Sequence, residues 1–260
     1  MARDRTTRAL FPRPPRVTAR VVAQADGVLS GLAIAVALAR QRGVTARPRR
    51  RDGARIHRGD AVLELSGDLG RVLGVERTLL NYLMHLSGVA TATARTVRAA
   101  RPLRVYATRK TLPGLRDAEK AAVVHGGGVS NRRDLSSGVL VKSTHLAFLP
   151  VREAVARARR GASGAPVQVE VSGVRDALAA VRAGAEAILI DNRSPAEARR
   201  IVAALSKAGL RTRAWVELSG GITPENVARY RSVGADAVSL GALTHSAPAL
   251  PFHLEVRSNG

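Results

Sequence analysis

Four cations stand out by position rather than by number. Arg109 and Lys110 fall in V-Y-A-T-R-K-T-L-P-G-L-R, Arg132 in G-G-G-V-S-N-R, and Lys142 in V-L-V-K-S-T-H. Each follows a short apolar run or a glycine turn, not the polar stripe of an amphipathic helix. Cations at strand ends converge on something anionic, so a small polyanionic substrate is the expected ligand. Glu170 and Asp191 sit on neighbouring predicted strand ends. Opposite the cations they suit a divalent metal or sugar hydroxyls, because magnesium commonly takes one or two carboxylates plus substrate phosphates. The alternative is an ion pair with Lys142 or Arg132.

Two further turns carry a phosphate signal. S-G-G-I-T-P-E-N begins at Ser219 and S-L-G-A-L-T-H-S at Ser239. Each follows a predicted strand and leads towards a helix. Small residues there let backbone N–H groups approach a phosphate, and a helix N-terminus adds roughly half a positive charge. Either turn alone reads equally as an ordinary tight loop; two in succession favour the phosphate. The triple glycine Gly126-Gly127-Gly128 brings backbone close to a ligand but is a weak sign by itself. His145 and His245 are candidate catalytic groups or structural hydrogen-bonding residues. No Ser-His-Asp set and no metal-type histidine spacing is present.

These groups need a frame to gather them. Val17 to Gln24 alternates as a half-buried strand, Gly31 to Arg40 reads as a helix, and Gly53 to Leu65 gives two short strands around Arg58-Gly59-Asp60. Leu73 to Leu86 and Thr91 to Ala100 read as helices. This first section is α+β. After Pro102, strands alternate with helices: Val105–Thr108, helix Leu115–Val124, Val139–Lys142, helix Arg152–Arg160, Val167–Val171, helix Val174–Ala183, Ala187–Ile190, helix Pro195–Ala208, Ala214–Leu218, helix Pro224–Val233, Ala237–Leu240. A βα repeat demands parallel strands with right-handed crossovers. Six such strands in succession favour an α/β barrel, whose active site lies at the carboxyl ends of the strands. There stand Thr108-Arg109-Lys110, Lys142, Glu170, Asp191-Asn192, Glu217 with Ser219-Gly220-Gly221, and Ser239 with Gly241 and Thr244.

Composition bounds the rest. The 260 residues suffice for a small domain plus a barrel, and 45% hydrophobic content allows a sizeable core. Only 3% are aromatic, so Ala, Val, Leu and Ile must build it. The absence of cysteine excludes a disulfide scaffold, a thiolate zinc site and a cysteine nucleophile. No signal peptide is visible, and no apolar stretch approaches the roughly 20 residues that span a bilayer; a cytoplasmic location is expected. The net charge of +22 suits nucleic acid or an anionic surface. It is spread along the chain, its densest run (Arg47-Pro48-Arg49-Arg50-Arg51) falls in an expected turn, and aromatics for stacking on single strands are scarce. Nucleic acid and membrane are therefore not the expected partners, though a basic non-catalytic nucleic-acid binder is the rival class.

These residues together resemble the quinolinate phosphoribosyltransferase family, the carboxylating nicotinate-nucleotide pyrophosphorylases. The resemblance runs through Glu76-Arg77-Thr78-Leu79-Leu80-Asn81, Leu86-Ser87-Gly88-Val89-Ala90-Thr91, Thr108-Arg109-Lys110-Thr111, Pro113-Gly114-Leu115-Arg116, Glu119-Lys120, Gly126-Gly127-Gly128, Arg132, Lys142, Val169-Glu170-Val171, Ile190-Asp191-Asn192, Ser219-Gly220-Gly221-Ile222 and Gly241-Ala242-Leu243-Thr244-His245-Ser246. A molybdenum-transport-associated paralogue shares much of this pattern. The resemblance implies an N-terminal α+β sandwich domain, residues 1–101, followed by an open α/β barrel, residues 102–260, with the C-terminal tail free to pack on the former. It implies phosphoribosyl transfer from phosphoribosyl pyrophosphate to quinolinate with decarboxylation, magnesium, and a homodimer or higher homo-oligomer in which Arg77 reaches the partner's site. Carried over by position, Arg77, Arg109, Lys110, Arg132 and Lys142 hold the acid and the pyrophosphate, with Thr108 and Asn131 beside them. Glu170 and Asp191 hold ribose and magnesium, and the turns Ser219-Gly220-Gly221 and Ser239-Leu240-Gly241 take the 5′-phosphate. Lys110, Lys142, Glu170 and Asp191 are the catalytic expectation.

Four departures qualify the match. The family usually has H-R where Asn131-Arg132 stands, an aspartate at Ser137, and D-N-H at Ser143-Thr144-His145. They leave room for a different aromatic acid as acceptor. The family's opening acidic segment is represented only from Asp4-Arg5-Thr6-Thr7, so an N-terminal helix is expected to be missing.

Overall fold

The computed structural model describes residues 4–132 and 134–258. Arg133, the second arginine after the triple glycine, lies outside them. In chain order the elements are α1 (Arg5–Leu10), β1 (Arg16–Ala23), β2 (Gly27–Val28), α2 (Leu32–Gln41), β3 (Thr45–Pro48), β4 (Arg55–Ile56), β5 (Ala61–Asp68) and α3 (Leu69–Ala100). There follow β6 (Arg104–Ala107), α4 (Arg116–His125), β7 (Val139–Val141), α5 (Ser143–Leu146), α6 (Val151–Gly161), β8 (Val167–Val171), α7 (Val174–Arg182) and β9 (Ala187–Asp191). The chain ends with α8 (Pro195–Lys207), β10 (Trp215–Ser219), β11 (Ala237–Leu240), α9 (Ala242–His245) and β12 (Phe252–Ser258). Among the described residues, no helix is long and apolar enough to cross a membrane.

The chain forms two units. The first takes the residues up to Ala94, Ala118–Gly127, and those from Ala247 onward. Its antiparallel sheet has the order β12-β1-β5-β3. Alternation in β1 buries Val17, Ala19 and Val21 on one face, where β5 adds Leu63 and Leu65 and α3 adds Leu79, Leu80 and Leu83. Each of these buried valine and leucine side chains is worth about 1.5–3 kcal/mol of transfer free energy.

Several local expectations are corrected. The helices expected at 73–86 and 91–100 are one helix, α3. Ser87 and Gly88 do not break it because both are used for close packing: Ser87 Oγ accepts from Ser30 N at 3.0 Å, and a Cβ on Gly88 would lie 2.2 Å from Pro248 O. The arginine run expected as a turn begins within β3, an edge strand that tolerates Pro48 because no ladder bond is needed from it. A six-residue helix, α1, does stand near the start, with Asp4 accepting from Thr6 N and Thr7 N at 3.0 and 3.1 Å. The strands on either side of Arg58-Gly59-Asp60 exist, but β4 pairs with β2 while β5 pairs with β1 and β3.

The second unit takes Arg95–Asp117 and the residues from Gly128 to Ser246. Its six strands are all parallel in the order β6-β11-β10-β9-β8-β7. First and last strands pair, and Val129 bridges Tyr106 at the open edge; this is the open α/β barrel. Valine and isoleucine alternate on the strands with polar residues, and the helices cover the apolar side with alanine-rich faces such as Ala177, Ala180 and Val181 of α7. The helix expected at 224–233 shrinks to a 3-10 turn at Val227–Tyr230. Asn226 competes for the backbone there: its Oδ1 accepts from Thr223 N and its Nδ2 donates to Gly221 O, both at 2.9 Å.

Helix α8 starts at a capping box. Glu197 N donates to Ser194 Oγ at 3.3 Å, and Ser194 N donates to Glu197 Oε2 at 2.9 Å. The Ser194 hydroxyl and amide hold the Glu197 carboxyl down to about 2. Its stabilising contribution is therefore present above the usual 4.5 and is lost as pH falls towards 2. Ser194→Ala removes about 1 kcal/mol, so thermal unfolding at neutral pH should shift down by a few degrees and lose part of its acid sensitivity.

Candidate active site

The strand register puts the polar side chains of the second unit on one face of its sheet. Glu170 pairs with Leu189, Leu189 with Glu217, and Glu217 with Ala237; Ser219 pairs with Asp191, and Ser239 with Tyr106. Side chains two apart share a face, so Tyr106, Gln168, Glu170, Asp191, Glu217, Ser219 and Ser239 all face the barrel interior. Val105, Val169, Ile188, Ile190, Val216 and Val238 take the other face and are buried. Leu240 is with them, 1% exposed. Of that expected substrate contact, only the main chain is on offer.

At the carboxyl ends the loops meet. Thr108 Oγ1 accepts from Lys110 N at 3.1 Å, folding the R-K turn back on the end of β6. Thr244 Oγ1 lies 2.7 Å from Lys110 O and 3.0 Å from Gly241 O. A Cβ on Gly241 would touch the Lys110 side chain and His245 at 2.9 Å, so only glycine lets this lysine lie across the β11 turn. Asp191 is held above its usual value first by burial and then by the charge of Glu170; Lys110, Arg193 and Lys142 pull it back. Two carboxylates and two lysines therefore share one neighbourhood. Glu170 Oε1 also accepts from Ser143 N at 3.2 Å. His145 Nδ1 accepts from Lys142 N at 2.9 Å, and His245 Nδ1 is bonded to Ser246 Oγ at 2.7 Å. Both imidazoles thus hold loops in place.

Arg109 and Arg132 form a second cationic cluster. Arg132 has φ +27, a left-handed conformation rare for arginine. Its guanidinium is pushed down by burial and by the charge of Arg109, and supported by Glu217. Arg109 Nε and Nη1 are buried without a hydrogen-bond partner. Asn131, directly before Arg132, is partly buried. Buried guanidinium donors normally carry carboxylate or phosphate, so this cluster is built for an anion.

Of the two turns expected to take phosphate, the one after β10 has a left-handed backbone. Gly220 and Gly221 have φ +82 and +65. A Cβ on Gly220 would lie 2.7 Å from Asn192 N, itself donated to Ser219 O at 2.8 Å. Arg77 belongs to the first unit; it is exposed on α3 and 3.8 Å from Glu76. Ser137, where the resemblance expects an aspartate, donates to Asp134 Oδ1 at 2.9 Å. A carboxylate is thus retained in this loop three residues earlier, and the Ser136 and Ser137 hydroxyls draw it down to about 2. Among the described residues, no group of three acidic, histidine or cysteine side chains could hold a metal alone. Gln168 and Tyr106 were not singled out from sequence, and Glu217 was placed on the rim without a role. The available signal was an acidic residue alternating with Ser219 in an otherwise apolar strand.

Comparison with known proteins decides the lineage. The family model for the quinolinate phosphoribosyl transferase N-terminal domain matches residues 4–87, and that for the C-terminal domain matches 89–255. The chain belongs to the quinolinate phosphoribosyltransferase family. A probable carboxylating nicotinate-nucleotide pyrophosphorylase of Methanothermobacter thermautotrophicus is 40% identical, over 98% of this chain and 93% of its own length. The Mycobacterium leprae nicotinate-nucleotide pyrophosphorylase is 35% identical over 97% and 91%. A crystal structure of a NadC deletion mutant superposes with TM-score 0.91 at 36% identity, covering 98% of this chain and 90% of that one. Within this family, the second unit supplies the barrel and the first unit the N-terminal domain.

Proposed function

We propose that this chain transfers the phosphoribosyl group of phosphoribosyl pyrophosphate to quinolinate, releasing pyrophosphate and carbon dioxide and leaving nicotinate mononucleotide. The observation that carries the reading is the Arg109 guanidinium, with two buried donors that no group among the described residues accepts. With Arg132 beside it, it matches a diacid. Glu170 and Asp191, flanked by Lys110 and Lys142, match ribose hydroxyls and a pyrophosphate. The turns at Ser219-Gly220-Gly221 and Ser239-Leu240-Gly241 match the 5′-phosphate.

The pyridine nitrogen attacks C1′ with its lone pair while the C1′–O bond breaks towards pyrophosphate. Charge on the sugar rises at the transition state and negative charge collects on the leaving group. Lys110 and Lys142 neutralise that charge from fixed positions, which is where preorganised electrostatics contributes most. Asp191 and Glu170 orient the ribose and face the positive sugar. Their crowding fits magnesium: two carboxylates repelling in a partly buried site match an ion that takes its remaining oxygens from substrate. Glu170 and Asp191 would hold the ion, which would supply positive charge against the departing pyrophosphate. Decarboxylation follows from the product's own electronics. The C2–carboxyl bond breaks, its electron pair stays on C2 beside the positive ring nitrogen, and a proton then fills that position. Arg77, exposed in its own chain, is proposed to complete the cup of a second copy in a homodimer.

Incubating the chain with quinolinate, phosphoribosyl pyrophosphate and magnesium should release pyrophosphate and carbon dioxide one to one. No release overturns the reading. Faster pyrophosphate release with another aromatic acid assigns the acceptor elsewhere, the direction Asn131 would favour. Gly220→Ala tests the phosphate turn. Its methyl meets backbone at 2.7 Å in a left-handed conformation, so the turn must move. KM for phosphoribosyl pyrophosphate should rise about tenfold, from a loss on the order of 1–2 kcal/mol, with quinolinate affinity unchanged in direct titration.

A further inference from the structure

Glu217 is 3% exposed and is the one buried charged side chain among the described residues of the second unit. Charged side chains are seldom buried this far without a partner, yet among the described residues it forms no ion pair within 4.0 Å. Its surroundings are specific. From β8, Gln168 Nε2 donates to its Oε2 at 2.9 Å, with Glu170 two residues further along. From β11, the Ser239 hydroxyl bonds the same carboxyl. On β9 its register partner is Leu189, and Asp191 follows. From β6, the Tyr106 phenol feels its charge. Above it stand Arg132 and, next to that, Arg109. Among the described residues, every hydrogen bond it accepts comes from a neutral donor, and the cation acting on it directly is Arg132.

We propose that Glu217 is the proton-linked counter-ion of the arginine pair: ionised while Arg109 and Arg132 face each other alone, protonated once the acceptor's carboxylates neutralise them. The inference rests on the proposed role of that pair in holding the acid. Two arginines placed together in a partly buried cup repel. A carboxylate beneath them offsets this without occupying the substrate's place. When a dianion arrives, two things change for Glu217. The positive field of Arg132 is cancelled, and the remaining water is displaced. Both disfavour its charge, while burial already holds it above the usual 4.5. A proton from solvent restores the balance. Linkage is reciprocal, so the proton strengthens acid binding by the same factor that the acid strengthens proton binding. Glu217 is thus a positioning residue acting through Arg132.

The test is calorimetric titration of quinolinate into the full chain, in two buffers of different ionisation heat. It is done without phosphoribosyl pyrophosphate, and again with pyrophosphate and magnesium. The wild type should take up a fraction of a proton approaching one per acid bound. Its Kd should rise by up to tenfold per pH unit across that window. Glu217→Gln should bind with no proton uptake from this site and a flatter pH dependence. Equal uptake in both proteins overturns the inference and leaves the acid-binding role of the arginines intact. No binding under either condition overturns that role as well. Gln168→Met provides the second arm. Losing a donor to the carboxylate should move the midpoint of uptake to higher pH, and an unmoved midpoint counts against the proposal even if Glu217→Gln fails to fold.

Discussion

Arg109→Ala should lower kcat/KM for quinolinate about 10³-fold and leave the melting temperature unchanged or higher. The two halves have one cause. Two of the guanidinium nitrogens are buried with no partner in the fold, and each such group costs about 1–3 kcal/mol where it stands. Removing them relieves that cost and also the repulsion with Arg132. The acid then loses a charge-assisted, desolvated partner, worth about 2–5 kcal/mol on truncation. Steady-state kinetics with quinolinate varied, beside a thermal melt, reads both. A variant that retains activity, or that melts markedly lower, would make Arg109 a structural residue.

Asp191→Asn should reduce kcat at least 10²-fold while raising stability at neutral pH. Burial and the Glu170 charge hold the Asp191 carboxyl above its usual 3.8. The folded state therefore favours its protonated form. The stability this gives is complete below about 3.8 and is lost as pH rises through the higher folded value. At neutral pH the native chain carries an ionised carboxylate in an unfavourable place, and asparagine does not. The variant's stability advantage should vanish in acid, while its kinetic defect persists wherever the enzyme works. Denaturant midpoints at two pH values, with pyrophosphate release at saturating substrates, separate the two effects. A variant less stable than wild type at neutral pH would show that Asp191 is held by favourable partners and is not strained for ribose and metal.

Much of the barrel was legible because strands and polar rim share one code. Short apolar runs ending in Arg109-Lys110, Lys142, Asp191 or Ser219-Gly220-Gly221 announce both the strand and the side its loop occupies. The cup that unites Lys110, Lys142, Glu170 and Asp191 followed from topology, since all end at the same rim. What escaped depended on partners remote in sequence. Nothing local to Ser87-Gly88 says that Ser30 and Pro248 approach there, so the long helix read as two. Nothing local to Pro224–Val233 says that Asn226 takes the amide of Thr223 and thereby a helix's first turn. The interior row was hidden differently: Glu217 and Ser239 were placed on the rim, but that they and Gln168 join in one hydrogen-bonded set follows only from register across three strands.

The edge strand β12 pairs with β1 along Val17–Ala23, so the first and last segments of the chain complete one sheet. A nascent polypeptide leaves the ribosome at about 5–20 residues per second. The N-terminal unit therefore waits with β1 open on one side until β12 has emerged, by which time every strand of the barrel is already out. A protein terminated before Ala247 should consequently expose that edge to other chains and precipitate, rather than persist as a smaller enzyme.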